Sequence, residues 1–259
     1  MTRNPDGAPA RLLQAAGAEV VHADFLDRPS LTRALAGAYG AFSVQNMLPL
    51  GTAVETMQGY AFADAAKAAG VRHLVYSSIG GAERATGIEH FESKWAIEEH
   101  IRRIEVPATI LRPVFFLDNL ATPGPWGTVV WGAVAWALRG GKKLQVIALD
   151  DLGAFVALVL ADPQRFIGQA IELAGDEVTF DQIRTAQLQA TGQRRVALPL
   201  LAPVLRLLDR DLSQMFRWLR TSGYAADLTA LRQLLPSLQR LPEGLRQAGK
   251  AATLPGPPR

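Results

Sequence analysis

Two side chains able to hold or move a proton stand four positions apart in the run His90-Phe-Glu-Ser-Lys94. On a helix, residues i and i+4 share one face, so an imidazole and an ammonium are presented together. Imidazole titrates near neutral pH, which makes His90 a candidate proton donor; the alternative is a structural polar group near a helix start. Tyr76-Ser77-Ser78 closes an apolar run, and the hydroxyl of Ser77 or Ser78 can orient a substrate carbonyl. Gln45 and Asn46 form a polar pair directly after an apolar strand, a pattern that favours a ligand site over a plain turn. Asp24 ends another apolar stretch, where a carboxylate either lines a crevice or closes a turn.

Other chemistries are excluded. The four histidines, His22, His73, His90 and His100, lack metal-ligand spacing with carboxylates, and there is no cysteine. No metal site is expected. There is no Gly-x-Ser-x-Gly elbow and no phosphate-cradling glycine loop ending in Lys-Ser/Thr. The net charge is +3 and the Lys and Arg residues are scattered, which argues against nucleic acid as a partner. The longest uncharged run, Asn119 to Leu138, contains two prolines and three glycines, which argues against a membrane span. Met1 leads straight into polar residues without a signal peptide, so a cytoplasmic protein is expected.

The elements that must position these residues alternate. Helices are expected at Ala8–Ala16, Ser30–Leu35 (Ser30 as N-cap), Val54–Ala69 and Phe91–Ile104. Strands are expected at Glu19–Ala23, Ala41–Val44, Val71–Ser77 and Ala108–Leu111. Such alternation implies right-handed βαβ units and a doubly wound parallel α/β sheet. After Asn119 the regularity breaks. Trp126, Trp131 and Trp136 recur every five residues, which suits neither helix nor strand period and suggests a loop-rich cap or a substrate wall. Later elements are a strand at Gln145–Ala148, a helix at Asp151–Leu160, a strand at Ile171–Leu173, a helix capped by Thr179 with Gln182, and a Leu-rich helix within Leu198–Arg220. From Arg246 the composition is that of a disordered tail.

Several segments, in order and spacing, resemble the NmrA-like family of atypical short-chain dehydrogenases. They are Thr2-Arg-Asn-Pro5, Gly17-Ala-Glu-Val-Val-His-Ala-Asp24-Phe-Leu-Asp27, Val71-Arg-His-Leu-Val-Tyr-Ser-Ser78 and His90-Phe-Glu-Ser-Lys94. Leu111-Arg-Pro-Val-Phe-Phe116-Leu-Asp-Asn119, Asp150-Asp-Leu-Gly153 and Gly223-Tyr-Ala-Ala-Asp227 complete the series. The resemblance implies a Rossmann-like fold that binds NADP(H), with NAD as the alternative, and a small, mostly helical C-terminal part over a substrate cleft. The expected organisation is a Rossmann-like NAD(P)-binding region over residues 1–120 that lacks its first βα unit, a cap or substrate region interleaved with late sheet elements over 121–245, and, by composition, a flexible tail over 246–259.

The same resemblance implies site residues. Arg3 would grip the adenosine 2′-phosphate and so favour NADP over NAD. Asp24 and Phe25 would border the adenine, and Gln45 and Asn46 the pyrophosphate and ribose path. Ordinary members of the wider superfamily pair a Tyr with a Lys four residues later; here His90 takes the Tyr position, and Lys94 would hold the nicotinamide ribose. Phe116, Leu117, Asp118 and Asn119 would face the nicotinamide end. Family members divide between reductases, such as quinone or dye reductases, and sensors that bind the cofactor without known catalysis. The expectation for this chain is an NADPH-dependent reductase of a quinone-like or carbonyl acceptor, with a redox sensor acting on a protein partner as the alternative. A degenerate member without nucleotide binding is a third expectation, because the sheet's first strand and glycine-rich turn are missing from the sequence. Loss of a central strand leaves backbone groups unpaired at about 1–3 kcal/mol each, so an upstream start is the economical expectation.

Overall fold

The computed structural model describes residues 1–197, 205–207 and 209–251. Four strands run parallel: β1 (Gly40–Ser43), β2 (His73–Ser77), β3 (Ala108–Pro113) and β6 (Ala170–Leu173), in the order β1-β2-β3-β6. Their register pairs Ala41 with Leu74, Tyr76 with Ile110 and Leu111 with Ile171. Strands covered by helices on both faces are apolar throughout rather than alternating, and every residue of β2 is buried. Leu74, Tyr76 and Ile110 meet α3 (Thr52–Ala68) and α4 (Glu89–Arg103), while Val75 and Leu111 meet α7 (Leu149–Ala161). The doubly wound α/β expectation is met. Gly59 lets α3 and α4 approach closely: an added Cβ there would lie 2.5 Å from Ile97 Cδ1.

The far side of β1 carries no ladder among the described residues. Phe42 and Val44 are 39% and 50% exposed on that edge. Beyond it, Thr2 and His22 form a lone parallel bridge, with Thr2 N donating to Val21 O (3.0 Å) and Ala23 N to Thr2 O (3.1 Å). The strand expected at Glu19–Ala23 is thus a single bridge, because its one neighbour is too short to propagate a ladder. Helix α1 (Ala8–Ala15) buries only Ala10.

A second sheet combines β4 (Phe115–Phe116), β5 (Lys143–Ile147) and β7 (Asp176–Thr179), with β5 and β7 antiparallel. Helices α5 (Asp118–Ala121), α6 (Gly124–Ala137), α9 (Phe180–Thr191) and the Arg210–Thr221 helix pack over it around Trp131, Phe115 and Phe216. The Thr179/Gln182 capping box opens α9 as expected.

Several sequence expectations are corrected. The tryptophan stretch is helix α6, not loop. Five residues turn a helix through about 140° beyond one full turn, so the three rings point three ways: Trp131 is buried, Trp136 partly buried and Trp126 exposed. Ser30 is not the N-cap, because Pro29 sets the start of α2 (Arg28–Leu35); Ser30 instead donates to Asp27 O and accepts from Asp24 N. Helix α4 begins two residues before the expected Phe91, which places His90 in its first turn. Of the helix expected within Leu198–Arg220, residues 198–204 and 208 lie outside the described residues, and the Arg210–Thr221 helix is its ordered part. Across Arg246 the chain is helical from Leu241 to Ala251, and residues 252–259 lie outside the described residues. No described helix is long and apolar enough to cross a membrane.

Candidate functional site

A cavity of about 350 Å³ opens between the Thr2 bridge and the carboxyl end of β1. In open parallel sheets ligands settle at the carboxyl ends of strands, and this cavity has that position. It is lined by Arg3, Asp24, Phe25, Gln45 and Asn46, five residues from three segments that sequence reasoning singled out separately. Arg3 has no hydrogen-bond or ion-pair partner among the described residues and is exposed at the rim. Asp24 serves both readings at once. Its Oδ1 accepts Leu26 N at 2.9 Å and closes a turn, while the residue still lines the cavity. The Phe25 ring rests on Phe62, with centroids 5.8 Å apart.

Gln45 is buried, and its Nε2 donates to Ser43 Oγ at 2.9 Å. Its Oε1 is buried with no partner. An orphaned buried acceptor costs about 1–3 kcal/mol, so a ligand donor that reached it would recover that loss. Asn46 is exposed and turns its Oδ1 to Leu48 N (3.0 Å).

Lys94 reaches this cavity through the backbone. Its Nζ donates to Gln45 O at 2.6 Å and pairs with Glu55 Oε1 at 2.8 Å. Glu55 is 2% exposed, and its other oxygen accepts Ser93 Oγ at 2.6 Å. Burial pulls the Lys94 pKa down, while the Glu55 charge and hydrogen bond push it back up; the net is a lowering. An ammonium has three donors, and two are held by the protein, so one is left for a ligand hydroxyl. Below lies Tyr76, whose buried hydroxyl has no partner and whose pKa is raised by burial and then by Glu55 and Glu98.

His90 lies one turn before Lys94 on the same face of α4 and bonds through Nδ1 to Asp211 Oδ2. Asp211 Oδ1 accepts Glu89 N at 2.6 Å. Burial alone would raise the Asp211 carboxyl. The His90 bond and charge, with the Glu89 and His90 backbone bonds, outweigh burial and hold it below its ordinary value.

Other expected site residues sit elsewhere. Ser78 donates its only hydrogen to Glu98 Oε1 (2.6 Å), within a buried knot where Arg112 and Arg102 also bind that carboxylate. Ser78 is thus committed to packing the sheet against α4. Ser77 is buried at the end of β2. Leu117 is 1% exposed inside the core beneath α6. Phe116 is half-buried against the α7 cluster, Asp118 opens α5, and Asn119 is exposed; none of the four lines the cavity. His73 is fully buried: Thr109 Oγ1 gives its hydrogen to Phe166 O, so the 2.8 Å contact requires His73 Nε2 to donate. Among the described residues no His/Asp/Glu group could hold a metal.

Sequence reasoning missed Glu55 and Asp211. Glu55 carried a signal: with Gly59, Phe62, Ala63 and Ala66 it lies on the buried stripe of α3, where an unpaired carboxylate is untenable. Asp211 carried none, because its partner is 121 positions away in sequence.

The parallel sheet with its strand-end cavity defines a Rossmann-like α/β protein. The chain belongs to the NmrA-like family, whose sequence model matches residues 1–229. The NmrA-like family domain-containing oxidoreductase FrzB of Cladobotryum sp. is 28% identical, covering 86% of this chain and 76% of that protein. In the fold, an NADPH-dependent quinone oxidoreductase from Escherichia coli, complexed with NADPH, matches with a TM-score of 0.73 at 23% identity, covering 95% of this chain and 88% of that one. NmrA, a negative transcriptional regulator, in complex with NADP, matches with a TM-score of 0.70 at 20% identity, covering 98% and 89%.

Proposed function

We propose that this protein binds NADP(H) in the Arg3–Gln45 cavity and reduces a quinone-like or carbonyl acceptor. The observation that carries this reading is the convergence of Arg3, Asp24, Phe25, Gln45 and Asn46 on one cavity, with Lys94 tied to it through the Gln45 carbonyl. The donor set fits a phosphorylated adenosine. Arg3 presents an unpaired guanidinium whose fork matches a phosphate. Phe25 offers a ring for the adenine, and the orphaned Gln45 Oε1 offers an acceptor for a ligand hydroxyl or amine. Lys94 keeps one N–H for a ribose hydroxyl, oriented by Glu55 and the Gln45 carbonyl.

When bound, the nicotinamide supplies a hydride. The chain's own task is to hold the dinucleotide, to orient the acceptor and to deliver a proton. FrzB, an oxidoreductase by name, and the quinone oxidoreductase with NADPH both support a reductase. The experiment is NADPH consumption across a panel of quinones and carbonyl compounds, alongside cofactor binding. Consumption that depends on an acceptor supports the reading. Tight NADPH binding with no consumption by any acceptor contradicts it and favours a sensor, in line with the NADP-bound regulator of the same fold.

A further inference from the structure

We propose that His90 delivers the proton that this reduction consumes, and that Asp211 is the residue that positions it. The proposal rests on the reductase reading above. His90 stands one helical turn from Lys94 on the same face of α4, and Lys94 Nζ bonds the backbone carbonyl of Gln45, which lines the cavity. Asp211 comes from the other side, in the first turn of the Arg210–Thr221 helix. The His90 and Asp211 side chains are 12% and 16% exposed, so their bond is shielded without being sealed. The edge of the His90 ring contact is fixed by Phe91, with centroids 4.9 Å apart, and Phe91 is in turn held by Trp218.

The donor logic fixes the tautomer. An ionised carboxylate only accepts, so the hydrogen of this bond sits on His90 Nδ1. Asp211 is itself anchored by Glu89 N at 2.6 Å, so it cannot swing away with the imidazole. Nε2 has no hydrogen-bond partner among the described residues. The pair leaves the second ring nitrogen open, as a proton-delivering imidazole requires. The charged groups around it are Asp211 on the facing helix, Glu89 and Lys94 on its own helix, and Glu55 behind Lys94 on α3. Arg84 stacks over the Trp218 ring, 5.9 Å from its centroid.

The step balances. The acceptor's carbonyl carbon, or a quinone ring system, gains two electrons and a hydrogen nucleus as hydride from the nicotinamide. The oxygen gains the Nε2 proton of the imidazolium. The C=O bond becomes C–OH, the nicotinamide is oxidised, and His90 is left neutral with its hydrogen on Nδ1, to be recharged from solvent.

The test combines turnover with spectroscopy. Asp211→Asn is close in volume and keeps an acceptor. It is expected to lower kcat about tenfold with the KM for NADPH unchanged, and to move the alkaline limb of the pH profile to lower pH. His90→Asn is expected to lower kcat about a hundredfold. Imidazole ¹⁵N resonances of the wild type, assigned with His90→Asn, are expected to show the neutral Nδ1–H form, and Asp211→Asn to shift it toward Nε2–H. Unchanged kcat and pH limb in both variants, with an active wild type, overturn the proposal alone. A neutral wild-type His90 in the Nε2–H form also overturns it. A wild type that consumes no NADPH with any acceptor overturns the reductase reading itself.

Discussion

Lys94 and Glu55 form the most consequential pair at the scale of single residues. Neither charge is tolerable alone in its place, since removing one partner of a buried pair leaves the other uncompensated at about 3–5 kcal/mol. Glu55→Ala is therefore expected to lower the urea-unfolding free energy by about that amount, and Lys94→Met combined with Glu55→Leu to recover most of it. An additive double variant would contradict the coupling. Arg3 gives a second residue-scale prediction. A charge-assisted bond is worth about 1.5–3 kcal/mol, so Arg3→Ala should weaken NADPH binding at least about tenfold and leave NADH nearly unchanged. Equal losses for both nucleotides would remove Arg3 from the 2′-phosphate.

His73 adds a pH dependence. Burial lowers its pKa from the ordinary 6.5. On acidification the unfolded chain takes up the proton first, so stability falls as pH drops below about 6.5 until the folded pKa is passed. His73→Asn should show a flatter pH dependence of stability than wild type through that window in paired thermal-unfolding series. Asp211 does not confuse the reading, because its lowered pKa acts only below its ordinary 3.8.

Elements decide how much of this was visible in the sequence. The His90–Lys94 spacing was legible because a helix fixes which residues share a face, whatever packs around it. The β2 strand was legible because burial on both faces leaves a nearly unbroken apolar run. The tryptophan helix α6 was not. The second half of α6 is buried nearly all round and has no amphipathic period, so its small residues, after the prolines at its start, read as loop. The cavity residues came from strand ends, which are short and well marked, whereas Glu55 and Asp211 matter through contacts that no local pattern encodes. The α3–α4 seam offers a direct check on the packing. Gly59→Val would drive two methyl groups into Ile97, which an added Cβ already meets at 2.5 Å, and should cost about 1–3 kcal/mol in chemical denaturation. A neutral substitution would mean the helices are not in close contact there.

At the scale of the molecule, stability is unevenly spread. The β2–β3 centre is buried on both faces, whereas Thr2 and His22 hang on one bridge beside an unladdered β1 edge. Arg3, Asp24 and Phe25 therefore sit on a weakly laddered part of the fold, and a ligand in the cavity would link that part to β1. Binding to the folded state alone raises stability in proportion to the logarithm of ligand concentration. The most direct measurement of the central claim is a thermal-unfolding titration of the protein with NADPH and with NADH, paired with Arg3→Ala. A midpoint that climbs with NADPH concentration, climbs less with NADH, and loses its NADPH preference in Arg3→Ala is the predicted result. A cooperative transition that neither nucleotide moves would contradict the assignment of this cavity to NADP(H).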